Sequence, residues 1–196
     1  MTILPLCTFP NLGYIKMLLN EDVCLDLGEN YVKQSFRNKF ELVGPNGRLT
    51  CTMHVVGQSS QNTPISSITL ADDDWRRHAI RSIESSYGNS AFFEHYFDEI
   101  KELIYAPEQN LVQFNRTALN WVQETLGVDF KCTYSNHFIQ ATENDLDLRA
   151  KMKKKDVVVT TKPYPQVFED KLGFEGNLSI LDLLLNMGPE APLYLQ

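Results

Sequence analysis

A block of three amphipathic helices in the middle of the sequence constrains the fold most strongly. The first is predicted by apolar residues four apart, and the other two by apolar residues at three- and four-residue spacing. In chain order the stripes are Trp75, Ala79, Ile83 and Tyr87; then Phe93, Tyr96, Phe97, Ile100, Leu103 and Ile104; then Leu111, Phe114, Ala118, Leu119, Val122 and Leu126. Asp72, Asp73 and Asp74 favour the start of the first helix, and Pro107 predicts the first turn of the third. Because each helix has a single apolar face, the block must pack against another layer.

The segments on either side of this block carry strand patterns. Apolar residues form short runs or alternate with polar ones over residues 3–9, 23–27, 36–43, 49–55, 65–70, 128–134 and 157–161. The turn sequence at 44–47 joins two of these strands into a hairpin, and shorter helices are predicted over 12–19 and 177–185. The pattern predicts an α/β fold: one domain, residues 1–196, with a mixed sheet and a central group of helices.

The charge of the chain argues against several classes of partner. The formal net charge is −7 and the pI is about 5.1, whereas nucleic acids and anionic membranes require a basic surface. No apolar run reaches the length of a membrane span. The amino-terminal run is interrupted by Pro5 and Pro10 and lacks the early positive charge of a signal peptide. We therefore expect a cytoplasmic protein with a small-molecule substrate, no nucleic-acid partner and no membrane insertion; the oligomeric state is left open.

The cysteine and histidine residues indicate neither disulfides nor a metal centre. Cys7, Cys24, Cys51 and Cys132 form no Cys-x-x-Cys pair, and their surroundings predict four free thiols in a reducing compartment. The four histidines are too scattered to suggest a metal site. Glycine-rich phosphate loops and serine nucleophile elbows are also missing from the sequence. The sequence therefore predicts no metal and no cofactor.

A dense polar segment follows the second predicted strand and is the first candidate site. Within ten positions it carries Glu29, Tyr31, Lys33, Arg37 and Asn38. Such groups are costly to desolvate unless they find partners or a ligand. Arginine can bind a carboxylate or phosphate with two hydrogen bonds, lysine can bind a phosphate, and a buried glutamate can act as a general base. The alternative is a solvated strand edge with ordinary ion pairs.

His78 is the second candidate, because it lies one turn after Trp75 beside the apolar stripe of the first central helix. As a catalytic base it would need an acid to orient its ring. The alternative is a histidine at the edge of the core, bonded to backbone or water. Asp182, three residues after Ser179, is interpreted as a capping acid of its helix.

Several stretches together resemble the WbqC-like protein family. They occur in the order typical of the family and span most of the chain. The matching pieces are Phe9-Pro-Asn-Leu-Gly-Tyr14, Glu29-Asn-Tyr-Val-Lys-Gln-Ser-Phe-Arg-Asn38, residues 47–55, Trp75-Arg-Arg-His-Ala-Ile-Arg-Ser-Ile-Glu-Ser-Ser-Tyr87, Ala91-Phe-Phe-Glu-His-Tyr96 and Phe174-Glu-Gly-Asn-Leu-Ser-Ile-Leu-Asp182. His54 departs from the pattern, because relatives usually have a proline there.

The resemblance implies a role in bacterial surface-polysaccharide (O-antigen) biosynthesis, as a transferase of an amino acid such as glycine, or of an acyl group, to a sugar. A non-catalytic binding or assembly protein of the same pathway is the alternative. The resemblance assigns no catalytic role to any position, so the roles follow from chemistry alone. We expect His78 or Glu29 to be the general base and the following residues to bind substrate: Tyr31, Lys33, Arg37, Asn38, Trp75 and Tyr87. This hypothesis requires Lys33, Arg37 and Asn38 to share a cleft with His78.

Overall fold

The computed structural model describes residues 1–57, 62–153 and 161–195. The strands are β1 (Thr2–Pro5), β2 (Val23–Asp26), β3 (Lys39–Gly44), β4 (Gly47–Thr52), β5 (Val55–Val56), β6 (Thr69–Leu70), β7 (Cys132–Ser135) and β8 (Leu146–Asp147). The helices are α1 (Leu12–Asn20), α2 (Trp75–Tyr87), α3 (Phe93–Tyr105), α4 (Leu111–Leu126), α5 (Glu169–Leu172) and α6 (Ile180–Met187). Three 3-10 helices cover Ile65–Ser67, Lys151–Lys153 and Gly188–Tyr194. This arrangement confirms the predicted α/β class.

A parallel four-stranded sheet, in the order β7-β2-β1-β8, lies at the centre of the fold. The strand after β1 in the chain lies on one side of it, and β8 lies on the other. The direction of strand addition therefore reverses at β1. All four strands point the same way, so their carboxyl ends meet at one edge, which we call the carboxyl edge. In open parallel sheets, ligands bind outside this edge where the order reverses.

Antiparallel pairing occurs in separate, smaller sheets. The predicted hairpin is confirmed: β3 pairs with β4 from Lys39 opposite Thr52 to Gly44 opposite Gly47. Gly47 has a φ of 107°, which a residue without a Cβ adopts readily. The 65–70 strand is shorter than predicted, because a 3-10 helix precedes β6, which pairs with β5.

The three central helices are confirmed, with one corrected start. Pro107 does not open α4; the helix begins at Leu111, where the Asn110 side chain accepts hydrogen bonds from the backbone N–H groups of Val112 and Gln113. Asn110 is thus a side-chain cap that satisfies donors left without partners at a helix start. None of the helices within the described ranges is long and apolar enough to cross a membrane.

Asp182 is not a capping acid, and this interpretation from sequence is wrong. It is fully buried in the first turn of α6, where Ser179 provides the side-chain cap. Its carboxylate accepts hydrogen bonds from the Tyr87 hydroxyl at 2.9 Å, the Tyr164 hydroxyl at 2.5 Å and the Gln166 amide at 2.7 Å. The three donors compensate a charge that would otherwise be costly to bury, and they tie α6 to α2 and to the segment before α5.

Two short elements were not predicted, and one prediction lies outside the described residues. β8 has only two residues and α5 has four, too few to show a periodic pattern. For the strand predicted over 157–161, residues 157–160 are outside the described ranges.

The four cysteines are free, as predicted, and their burial allows a direct test. Burial raises the pKa of the Cys7 thiol to about 12 and that of Cys51 to about 11. Because the thiolate is the reactive form, neither should react with iodoacetamide in the native protein at pH 8.5. Mass mapping of the alkylated protein, with urea-unfolded protein as the control, checks this. Rapid native labelling at Cys7 would contradict the packing around β1.

Candidate functional site

A buried ion pair between Arg37 and Glu29 lies where the chain leaves the parallel sheet. The Arg37 Nε donates to Glu29 Oε1 at 2.7 Å, and Nη2 donates to Oε2 at 2.5 Å. The two side chains are 0% and 3% exposed. Burial raises the pKa of Glu29, and the hydrogen bonds from Arg37 act in the opposite direction. This bidentate geometry is the strongest form of contact between a guanidinium and a carboxylate.

A second charged group lies against the first. Arg149 forms ion pairs with Asp26 and, at 2.6 Å, with Asp147. The Arg37 Nη2 also donates to the Arg149 carbonyl oxygen at 3.3 Å, which joins the two groups. We call these five residues, Asp26, Glu29, Arg37, Asp147 and Arg149, the charged cluster.

The charged cluster lies at the carboxyl edge of the sheet. Asp26 is the last residue of β2 and Asp147 the last of β8, while Arg149 follows two residues later. β2 and β8 flank β1 on its two sides, so the cluster brackets the point where the strand order reverses. Asp147 is exposed, whereas the other four charged groups are buried, and their mutual pairing offsets the cost of desolvating them.

The backbone of Arg37 is held from the helical layer. The Asn115 amide donates to the Arg37 carbonyl oxygen at 2.7 Å, and the Thr8 hydroxyl donates to the same oxygen at 3.2 Å. Thr8 follows β1 and Asn115 belongs to α4, so this carbonyl links the sheet to that helix. The Nη1 atom of Arg37 is buried and has no hydrogen-bond partner among the described residues.

The other predicted residues of the polar segment have different surroundings. Tyr31 is 6% exposed, and its N–H donates to the Thr63 carbonyl oxygen. Asn38 is also buried and donates to the Met53 carbonyl oxygen at 2.7 Å. Lys33 is exposed in the loop that leaves the carboxyl end of β2. Of the predicted segment, Lys33 thus presents its side chain to solvent, while Glu29, Tyr31, Arg37 and Asn38 are largely enclosed.

His78 lines a separate cavity of about 210 Å³ between β4 and α2. Trp75 lines it too, but the indole is 2% exposed and donates to the Ala71 carbonyl oxygen at 3.0 Å. The same cavity includes His54, whose ring nitrogen lies 2.8 Å from Asp73. Lys33, Arg37 and Asn38 are not among the residues that line this cavity. The structure therefore places His78 and the polar segment in two different surroundings.

Tyr87 is a core residue. It is fully buried; its hydroxyl donates to Asp182 and accepts a hydrogen bond from the Val43 N–H at 3.3 Å. Burial, followed by the nearby Asp182 charge, holds the pKa of this phenol well above its usual range. These contacts join α2, α6 and the hairpin.

Sequence reasoning missed three members of the charged cluster and a large cavity beside it. Asp26 and Asp147 each end a parallel strand, the position that would have identified them, but β8 is too short to predict. The cavity measures about 540 Å³ and opens at the carboxyl ends of β2 and β7.

Within the described part of the chain, no group of three or more His, Cys, Asp or Glu side chains could hold a metal ion.

Comparison with known proteins identifies relatives but no known activity. The model of the WbqC-like protein family matches residues 7–159. The uncharacterized protein Rv1507c of Mycobacterium tuberculosis (strain ATCC 25618 / H37Rv) is 28% identical over 194 residues, which cover 85% of this chain and 84% of the relative. No solved structure matches the chain.

Breaking the Glu29–Arg37 pair should destabilise the fold strongly. Replacing Glu29 with Gln leaves the Arg37 guanidinium buried without a counter-charge, which should lower the free energy of unfolding by about 3–5 kcal/mol. Urea denaturation measures this change. Asp74→Asn is the matched control, since Asp74 pairs with Arg77 at 2.6 Å on the surface and should matter little. Equal effects of both substitutions would contradict a special contribution of the buried pair.

Tyr87→Phe should destabilise the protein by about 1–3 kcal/mol, because it leaves the Val43 N–H and the buried Asp182 each without one partner. Tyr105→Phe, at a tyrosine that is 49% exposed, is the control and should leave thermal unfolding unchanged. If Tyr87→Phe unfolds at the wild-type temperature, the hydroxyl contributes no stability and its contacts need another explanation.

Proposed function

Because this chain belongs to the WbqC-like protein family, we propose that it is a transferase of bacterial surface-polysaccharide (O-antigen) biosynthesis. In this proposal it transfers an amino acid such as glycine, or an acyl group, from an activated donor to a sugar. The reaction would take place in the cytoplasm on small-molecule substrates.

One observation carries the proposal: the charged cluster lies at the carboxyl edge, on both sides of the strand where the order reverses. Open parallel sheets bind their ligands outside this edge, where loops rather than side chains of the core form the surface. The polar segment that resembles the family begins in the loop after β2 and includes Glu29 and Arg37. The family resemblance and the topology therefore favour the same region.

The transfer requires a base and a site for an anionic donor. The acceptor amine or hydroxyl attacks the donor carbonyl carbon, a base takes the acceptor proton, and the leaving group departs with the electron pair of its bond to that carbon. Lys33 is exposed in the loop after β2 and can bind an anionic donor group. The buried Arg37 acts through Glu29 and the loop, as a positioning residue. Tyr31 and Asn38 likewise shape this loop.

Glu29 and His78 are the two candidate bases, and the structure distinguishes their situations. Glu29 lies at the carboxyl edge, and its raised pKa suits proton transfer, but both oxygens accept hydrogen bonds from Arg37. His78 is exposed but lines the smaller cavity between β4 and α2. Glu29 is therefore the base that the proposal favours, provided that donor binding shifts Arg37 away from one oxygen.

Lys33→Ala should lower kcat/KM for the donor by on the order of tenfold, the effect of losing one charge-assisted hydrogen bond. The assay offers acyl-coenzyme A and aminoacyl donors to amino and hydroxyl sugars and follows the mass of the sugar. Lys131→Ala is the matched control, because Lys131 precedes β7 at the opposite edge of the sheet. Equal rates for Lys33→Ala and wild type, or a larger loss in the control, would contradict a donor site at the carboxyl edge.

A specific observation favours the alternative, a non-catalytic binding or assembly protein of the same pathway. Every carboxylate of the charged cluster is already paired with an arginine, so none is available to a substrate without rearrangement. This alternative predicts no turnover with any donor and co-purification of one defined partner protein. Turnover by the purified protein alone would eliminate it.

A further inference from the structure

The cavity beside the charged cluster has the position and size of a ligand site. Its volume of about 540 Å³ lies within the range of small-molecule sites, roughly 300–1,000 Å³. Gly28 and Asn136, in the loops after β2 and β7, line this cavity together with residues from the first two turns of α4. A Cβ at Gly28 would lie 2.2 Å from the His137 backbone, so the two loops meet closely here.

Arg116 is the charged residue of this cavity. It lies in the second turn of α4, is half-buried, and places its guanidinium 4.8 Å from the centre of the Tyr134 ring. Apart from this ring, it forms no hydrogen bond or ion pair with the described residues. A partly desolvated guanidinium favours an anion, since its hydrogen-bond donors would otherwise lack partners.

The remaining lining of the cavity also favours an anion. None of the described residues that line it is acidic, although the chain as a whole carries a net charge of −7. Gln113, Asn136 and Ser66 add uncharged side chains that can donate hydrogen bonds. The first N–H groups of α4 are already capped by Asn110. The start of this helix therefore contributes to anion binding only through the positive end of its dipole.

We infer that this cavity binds the diphosphate group of a substrate of this transfer, with Arg116 as its principal anion-binding residue. The inference rests on the proposed function for the identity of the ligand as a substrate. A diphosphate offers paired oxygens to the planar guanidinium, whereas a neutral sugar or a free amine gains nothing from it. The volume also exceeds what a lone inorganic phosphate fills, which leaves room for the group attached to the diphosphate.

Two substrates of the proposed transfer share this chemistry, a coenzyme A thioester as the acyl donor and a nucleotide-linked sugar as the acceptor, and calorimetric titration of the wild-type protein distinguishes them. The probes are UDP, coenzyme A and inorganic pyrophosphate, with uridine as the phosphate-free control. The inference expects binding of pyrophosphate and of UDP or coenzyme A, and no binding of uridine. Tighter binding of coenzyme A identifies the acyl donor as the substrate of this cavity, and tighter binding of UDP identifies the acceptor sugar. If none of the three phosphate compounds binds, or if uridine binds as tightly as UDP, the inference is wrong.

Two substitutions separate anion binding from a structural role. Arg116→Ala should weaken binding of the preferred probe about tenfold or more, as expected for losing a charge-assisted contact. Gln113→Glu should weaken it similarly by placing a negative charge in the cavity, yet an acid in the first turn of α4 should maintain or raise the unfolding temperature. Arg81→Ala, at an exposed arginine on α2, is the matched control and should change neither quantity.

The outcomes also separate this inference from the proposed function. Unchanged affinity in both Arg116→Ala and Gln113→Glu would overturn the site, even if the wild-type protein proves to be a transferase. Binding that depends on Arg116 in a protein with no turnover would support the site and overturn the transferase. A parallel loss of affinity in Arg81→Ala would show that net charge rather than the cavity governs binding, and would also overturn the site.

Discussion

The ion pair between Arg37 and Glu29 is the interaction on which the candidate site depends. A charged pair that is almost fully buried is stable only while each partner keeps its counter-charge. Arg37 also donates to the carbonyl oxygen of Arg149, which follows β8, and the Arg149 guanidinium pairs with Asp26 at the end of β2. The Arg37 backbone is in turn held by Asn115 of α4. The pair therefore fixes the loop after β2 relative to the sheet and the helical layer, and with it the walls of any site at the carboxyl edge.

Much of the architecture is predictable from sequence, because long periodic segments specify their own type. We could predict α2, α3 and α4 from their apolar stripes, and the hairpin from the alternation around its turn, without any tertiary information. Short elements were missed for the opposite reason. β8 has two residues and exists because its backbone pairs with β1, a contact that no local pattern encodes.

The polar segment was recognisable from sequence, but the partners of its side chains were not. The polar density of residues 29–38 identified the segment, and the structure joins Glu29 and Arg37 of this segment to the charged cluster at the carboxyl edge. Which groups would be enclosed depended on distant residues: Arg149 reaches Asp26 across 123 positions, and Tyr87 meets Asp182 across 95. For the same reason Trp75 and Tyr87, which sequence places among binding residues, are found in the core. The sequence does not single out Arg116, because its neighbours in sequence are ordinary helical residues. Its cavity forms only where the carboxyl ends of β2 and β7 meet the start of α4.

The central claim is that ligands bind at the carboxyl edge of the parallel sheet. Hydrogen–deuterium exchange of the intact protein, with and without saturating UDP or coenzyme A, tests it most directly, because it reports the bound region without any substitution. If this claim is correct, we expect slower exchange in peptides covering residues 27–38 and 110–116, with no change over residues 75–87. Protection confined to residues 47–54 and 75–87, the walls of the His78 cavity, would contradict it.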